Sequence, residues 1–169
     1  MLAGCGSEQG EAPPAAPIAL RPEQLREASY RSDLAAAGTV KLTAGRYEEP
    51  ESRLTVALAG EPALGDLDGD GAADAAVVLE TDGGGSGVFM ELAAVLSRGG
   101  APVHAASALL GDRVIMESVS IEAGAVVVQM VTQGENDPMC CPTLRVVRRY
   151  RLAGQALVEE PTEEHPAAP

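Results

Sequence analysis

Residues 65–80 read GDLDGDGAADAAVVLE, a stretch rich in Asp and Gly that leads directly into an apolar run. Asp and Gly favour tight turns, whereas residues 75–80 are largely aliphatic and have the length of a β-strand. The stretch therefore predicts a loop at 66–74 that leads the chain into a strand.

Similar short runs recur along the chain, separated by Gly, Asp and Pro. We expect further strands at 39–43, 53–58, 88–96, 103–109, 114–121, 125–132, 144–152 and 157–158. The short link 122–124 suggests a hairpin, and Gly154 suggests another. The predicted fold class is mainly β, α+β at the margin: an antiparallel β-meander, sandwich- or barrel-like, with one short N-terminal helix.

One folded domain between two low-complexity ends is the expected organisation. We predict a flexible tether at residues 1–20, a single β-rich domain at 21–158 and a disordered tail at 159–169, because both ends lack apolar periodicity. Within the domain, Pro22 suits the first turn of a short helix in which Leu25 and Tyr30 would share one face.

The composition limits the kinds of partner. The formal net charge is -13 at pH 7, which disfavours binding to nucleic-acid phosphates and to anionic lipid head groups. Aromatic residues make up only 2% of the chain, so aliphatic side chains must build the core. An acidic surplus favours divalent cations, although outside residues 66–74 we interpret the carboxylates as a solvated surface.

The acidic loop has the ligand spacing of a calcium site. Carboxylates stand at positions 1, 3, 5 and 9, a carbonyl is offered at position 7, and glycine takes the bend position: Asp66, Asp68, Asp70, Asp74, Ala72 and Gly71. Four carboxylates this close would repel one another without a cation. We therefore predict Ca²⁺ as a cofactor with a structural role, held by the four Asp side chains and Ala72.

These nine residues resemble the DxDxDGxxD loops of integrin-type FG-GAP repeats, dockerins and thrombospondin type 3 repeats. An EF-hand would also need a bidentate Glu at position 12, where this chain has Val77, and it would continue into a helix rather than a strand. The alternative is an Asp/Gly turn without metal, since Asp side chains can satisfy local backbone donors.

Cys140 and Cys141 are adjacent, with Met139 before them and Pro142 after them. Neighbouring Cα atoms lie about 3.8 Å apart, below the usual range of about 4.4–6.8 Å for a disulfide, so a bond between them would be strained and easily reduced. We favour a vicinal disulfide. Two free thiols, bonds to another molecule, or a copper(I) site that includes Met139 remain open.

Leu2-Ala3-Gly4-Cys5 resembles the lipobox of bacterial lipoproteins. That resemblance implies a lipid on Cys5, a location outside the cytoplasm at the bacterial cell envelope, and membrane contact only through the anchor at Cys5. A signal peptide would supply a basic and an apolar region before the box, where only Met1 stands. The Gly-, Pro- and Ala-rich residues 6–17 suit a tether.

The sequence lacks the residue patterns of a histidine-based catalytic dyad, a phosphate-binding loop and a hydrolase nucleophile elbow. The two histidines, His104 and His165, lack neighbours spaced for a catalytic dyad or a metal cluster. The glycine-rich residues 83–87 lack the Lys of a phosphate-binding loop, and Ser86 does not stand in a Gly-x-Ser-x-Gly elbow. We therefore expect a protein that is not an enzyme.

The lipobox, the acidic loop and the late Cys-Cys-Pro-Thr together resemble uncharacterised bacterial envelope lipoproteins. We expect a calcium-stabilised, envelope-tethered binding or structural module whose partner is an envelope protein or a glycan. The alternative function is that of a redox or soft-metal-handling envelope protein that works through Cys140 and Cys141.

Overall fold

The computed structural model describes residues 16–138 and 140–161, which form one short helix and eleven strands. The elements are α1 Pro22–Leu25, β1 Ser29–Arg31, β2 Thr39–Lys41, β3 Arg46–Glu49, β4 Leu54–Gly65, β5 Asp74–Asp82, β6 Val88–Arg98, β7 Ala101–Asp112, β8 Ile115–Glu122, β9 Ala125–Thr132, β10 Leu144–Ala153 and β11 Ala156–Glu160. The mainly β prediction is confirmed.

The strands form three antiparallel sheets. The central sheet has the order β3-β4-β5-β6-β7, a second sheet has the order β11-β10-β9-β8, and β1 pairs with β2. Successive strands are neighbours within each sheet, which confirms the expected meander. Of the two expected shapes, the structure has the sandwich-like one.

The central sheet is buried on both faces. In β5, Ala75, Val77 and Leu79 belong to a core shared with α1, β1 and β2. The intervening Ala76 and Val78 belong to a second core, shared with β9 and β10. A continuous apolar run is the pattern expected of a strand covered on both sides. The central sheet therefore separates two hydrophobic cores and contributes side chains to both.

The N-terminal helix is shorter than the helical pattern predicted. Leu25 and Tyr30 are both buried, but α1 ends at Leu25 and Tyr30 lies in β1, where its hydroxyl donates to the Leu25 carbonyl over 2.8 Å. Pairing of β1 with β2 outweighs the local helix preference. No helix in the described ranges has the length and apolar character needed to cross a membrane.

Two parts of the central sheet were not predicted. β3 has the sequence Arg-Tyr-Glu-Glu, which lacks an apolar alternation. β4 continues to Gly65, well past the predicted end at residue 58, because a bulge between Ala59 and Ala63 shifts the register and pairing with β5 then resumes. Gly60 lies inside this bulge with a φ of 76°.

The folded part extends past both predicted limits of the domain. Leu20 is only 2% exposed, and its amide donates to the Ala73 carbonyl over 2.9 Å, so the end of the predicted tether is packed. β11 ends at Glu160, inside the predicted tail. Residues 1–15, which include Cys5 and its lipobox, and residues 162–169 lie outside the described residues.

The hairpin predicted around the link 122–124 is present, and its turn is one residue shorter than that link, because Glu122 pairs with Ala125. Ala123 and Gly124 both have positive φ, 49° and 73°. This combination matches the right-handed twist of the flanking strands, but only the glycine adopts it without strain.

Candidate metal centre

The acidic loop, residues 66–74, connects the end of β4 to the start of β5. Two of its apolar side chains are buried: Leu67 is 6% exposed and Ala72 is 4% exposed. Leu67 is part of the second core. Both halves of the loop are thereby attached to the body of the protein.

Asp74 is the buried carboxylate of the loop, with no exposed surface. Its Oδ2 accepts a hydrogen bond from the Leu67 amide at 2.9 Å, and its Oδ1 accepts one from the Ser97 amide at 2.8 Å. Burial raises the pKa of this carboxyl above its ordinary value, and the charges of Asp68 and Asp70 add to the rise, whereas the two hydrogen bonds oppose it. A cation beside Asp74 would offset both unfavourable effects.

The side chain of Asp66 organises the turn around itself. Its Oδ1 accepts from the Gly69 amide at 2.7 Å, and its Oδ2 accepts from the Gly71 amide at 3.0 Å. Gly69 and Gly71 have φ values of 80° and 84°, a region that other residues rarely adopt. The glycines therefore permit the tight winding that places position 1 against the middle of the loop.

Asp68 and Asp70 share a basic neighbour that comes from outside the loop. Arg98, the last residue of β6, donates from NH1 to the Oδ2 of Asp68 at 2.8 Å, and NH1 lies 3.5 Å from the Oδ2 of Asp70. The bond to Asp68 holds the pKa of Arg98 above its ordinary value. Arg98 thus neutralises part of the charge that a metal ion would neutralise.

Three of the predicted ligands converge. Asp66, Asp68 and Asp74 each place one carboxylate oxygen so that all three oxygens lie within 4.8 Å of one another. Calcium–oxygen distances are about 2.3–2.6 Å, so ligands on opposite sides of one ion are about 4.6–5.2 Å apart. These three carboxylates can therefore hold one metal ion. Asp70 is not in this group: its Oδ1 accepts from the amide of Ala72, the predicted carbonyl ligand, at 2.8 Å.

Sequence reasoning missed the contributions of Ser97 and Arg98. Both contacts require β6 to lie beside β5, with Arg98 next to a loop thirty residues earlier in the chain. The available signal was their position directly after the strand predicted at 88–96. A hairpin partner of the strand that follows the loop would bring such residues back to it.

The favoured vicinal disulfide is present. Cys140 and Cys141 are bonded to each other, with Cα atoms 3.8 Å apart, and both residues are exposed. The surrounding loop is braced by Asp137, which accepts from the amides of Gly134 at 2.8 Å and Thr143 at 2.6 Å. These bonds hold the pKa of Asp137 below its ordinary value. Met139, the third residue of the alternative soft-metal site, lies outside the described residues.

Comparisons of the chain with protein-family models, with curated proteins and with solved structures found no significant match. Function must therefore be inferred from the chemistry of the residues themselves.

Proposed function

We propose that this protein is a calcium-stabilised, envelope-tethered module with a non-enzymatic binding or structural role. The observation that carries the proposal is the convergence of Asp66, Asp68 and Asp74, whose carboxylate oxygens lie within 4.8 Å of one another. An ion held there would join the two ends of the acidic loop, between β4 and β5, and would stabilise the native state alone.

The ligand chemistry favours calcium. Carboxylate oxygens suit hard cations such as Ca²⁺ and Mg²⁺ rather than soft ones. Calcium accepts about six to eight oxygen ligands in flexible geometry, whereas Mg²⁺ needs a near-ideal octahedron and keeps much of its water. A nine-residue loop with carbonyls such as that of Ala72 beside its carboxylates meets the calcium requirement more readily.

The tether and the partner are inferred from the sequence. The lipobox resemblance at residues 2–5 supports a lipid on Cys5 and a place at the bacterial envelope. Calcium there would saturate even a weak site, with a dissociation constant of about 10⁻⁴ to 10⁻³ M. A net charge of -13 argues against nucleic acid and leaves an envelope protein or a glycan as the partner.

The test is thermal unfolding of the chain in chelator and then in excess calcium. At a calcium concentration of about 100 times the dissociation constant, the native state gains about 2.7 kcal/mol, which raises the Tm by roughly 5–10 °C in a chain of this size. Asp68→Ala should remove most of this rise, because Asp68 is an exposed ligand whose loss leaves the core intact. Glu61→Ala, an exposed carboxylate on β4, is the matched control and should keep the full rise.

The proposal fails if calcium at about 0.1 M, about 100 times the weakest dissociation constant expected, leaves the Tm unchanged. It also fails if Asp68→Ala and Glu61→Ala reduce the rise equally, since that result would mean that calcium acts on the general negative charge and not on the loop.

A redox role for Cys140 and Cys141 is the second candidate, favoured by the exposure of a disulfide between adjacent residues. A dithiol reductant would transfer two electrons and two protons to this bond, which yields two thiols and leaves the reductant as a cyclic disulfide.

Redox titration against dithiothreitol, read by thiol labelling, tests this role. A bond that exchanges reversibly near the potential of biological dithiols, with Cys140→Ser abolishing the labelled pair, would support it. A bond that stays oxidised throughout that range would limit the disulfide to a structural role.

A further inference from the structure

A second candidate site lies at the end of the central sheet remote from the acidic loop. An open pocket of about 460 Å³ is bounded by the loop after β1, by β5, β6 and β7, and by the turn between β10 and β11. Its volume falls within the range of about 300–1,000 Å³ that is usual for small-molecule sites.

The walls of the pocket are apolar and exposed. Leu34, Phe89 and Leu109 line it with exposed fractions of 54%, 39% and 64%. Phe89 is the only phenylalanine in the chain. Three large apolar side chains around one concave surface favour the apolar part of a ligand.

Two negative charges beside these walls have no partner among the described residues. Asp33 and Glu91 both line the pocket. Within residues 16–138 and 140–161, neither carboxylate has a hydrogen bond or an ion pair to another side chain or to the backbone. The cationic side chain in the lining, Arg31, donates instead to the Ala105 carbonyl. The pocket therefore offers two carboxylates to a cation from outside.

Thr81 adds a hydroxyl to the lining of the pocket. The residue is 7% exposed, and its hydroxyl makes no hydrogen bond to any described residue. In the described part of the chain Tyr150, and not Thr81, carries the fully buried hydroxyl without a partner, so solvent reaches the Thr81 oxygen and a ligand in the pocket can take the place of that water.

We propose that this pocket binds a small organic cation, an ammonium group on an apolar body. The apolar body contacts Leu34, Phe89 and Leu109, the ammonium group lies by Asp33 and Glu91, and the Thr81 hydroxyl accepts one of its N–H bonds. The strongly negative net charge of the chain further concentrates cations around the protein.

The experiment is a ligand-observed NMR titration of the full chain with three probes of similar shape. These are 2-phenylethylammonium, neutral 2-phenylethanol and anionic 3-phenylpropionate. We expect the ammonium probe to bind at millimolar concentration or below, about tenfold more tightly than the alcohol, and the anion not to bind, because charge-assisted hydrogen bonds are about twice as strong as neutral ones.

Charge-deleting variants locate the site. Glu91→Gln and Asp33→Asn should each weaken binding of the ammonium probe by about five- to tenfold. Glu80→Gln is the matched control: Glu80 is exposed on β5 and outside the pocket lining, and its replacement removes one negative charge, as each pocket variant does. It should change the affinity less than twofold. Circular dichroism verifies that each variant is folded.

Three results would overturn the proposal. One is no saturable binding of the ammonium probe at millimolar concentration, and another is equal binding of the alcohol. The third is equal weakening by Glu80→Gln and Glu91→Gln, which would mean that the probe responds to net charge alone.

Discussion

Arg98 competes with a metal ion for the carboxylate of Asp68. Its NH1 lies 2.8 Å from the Oδ2 of Asp68 and 3.5 Å from that of Asp70, so it already supplies one positive charge to the acidic loop. Calcium that binds Asp68 must either displace this guanidinium or share the carboxylate with it.

Arg98→Gln is therefore expected to strengthen calcium binding by roughly three- to tenfold, because a competing positive charge is removed. In chelator the same variant should be less stable than the wild type, since the loop carboxylates lose their counter-charge. Calorimetric titration measures the first effect and urea unfolding the second.

Arg46→Gln is the control for Arg98→Gln, because Arg46 is also an exposed arginine in an ion pair, with Glu48 at 2.6 Å, but lies outside the acidic loop and its contacts. This variant should leave calcium affinity unchanged. Weaker calcium binding in Arg98→Gln would mean that Arg98 holds the loop in its binding geometry and does not compete with the ion.

His104 makes the stability of the protein depend on pH. Its Nδ1 accepts from the Arg31 amide at 2.7 Å, and its Nε2 lies 2.9 Å from the Ser107 hydroxyl. Burial, with the nearby charge of Arg31, lowers the pKa of the imidazole from 6.5 to about 4. Because the pKa of His104 is lower in the folded state than in the unfolded state, the neutral ring favours folding. This contribution to stability is complete above about pH 6.5 and is lost as the pH falls towards 4.

We predict that His104→Asn, whose amide oxygen can accept the Arg31 hydrogen bond, flattens the pH dependence of unfolding. Between pH 7 and pH 4 the wild type should lose about 2 kcal/mol more than the variant, after allowance for the partial exposure of the ring. Titrating carboxylates, including Asp74, are common to both proteins and cancel in the comparison. Parallel pH profiles would assign the acid sensitivity to groups other than His104.

At the scale of elements, the turn between β8 and β9 has a strained residue. Ala123 adopts a φ of 49°, a region in which Asn is tolerated and Ala is not favoured. Ala123→Asn should stabilise the protein by about 0.5–1 kcal/mol, because Asn-Gly is the preferred pair for this turn. Gly124→Ala, at a φ of 73°, should destabilise it by about 1 kcal/mol or more.

Urea unfolding of both turn variants measures these changes. The side chain of Ala123 is exposed, so the substitution disturbs no core contact. Loss of stability in Ala123→Asn would show that the turn tolerates its alanine without strain.

The observed strands show where a sequence pattern is sufficient to predict the bounds of a strand. The strand predicted at 125–132 matches β9 to the residue, since a Gly-containing turn and a continuous run of Val define it. β1 and β3 were missed because strands of three or four residues carry too little pattern and form only when a neighbour pairs with them. The bulge in β4 was missed because it depends on the register with β5.

Part of the candidate metal centre was likewise predictable from the sequence, and part of it depends on the fold. The Asp spacing along the loop predicted Asp66, Asp68, Asp70, Asp74 and the Ala72 carbonyl as ligands, and three of these carboxylates converge. The position of Asp70 outside that group, the burial of Asp74 and the approach of Arg98 all depend on β6, which contacts the loop only in the folded chain. The pocket around Thr81 combines five separate segments and had no local signal at all.

At the scale of the whole molecule, a net charge of -13 implies repulsion that salt should relieve. In chelator, an increase in NaCl from about 0.02 M to about 0.5 M shortens the Debye length from roughly 20 Å to roughly 4 Å. We expect the Tm to rise by about 2–5 °C, because repulsion among the excess carboxylates outweighs the loss of a few exposed ion pairs. A Tm that falls with added salt would mean that the ion pairs dominate.

Burial of β5 on both faces affects how its register with the neighbouring strands is determined. A slip of β5 by one residue would exchange Ala75, Val77 and Leu79 for Ala76 and Val78, and both sets are aliphatic. The polarity of residues 75–79 therefore cannot distinguish the correct alignment from its neighbour. Asp74 can, because its carboxylate is satisfied only where the Leu67 and Ser97 amides converge. A buried carboxylate that is unfavourable by itself thus fixes the alignment at the start of a strand whose central residues are aliphatic on both faces.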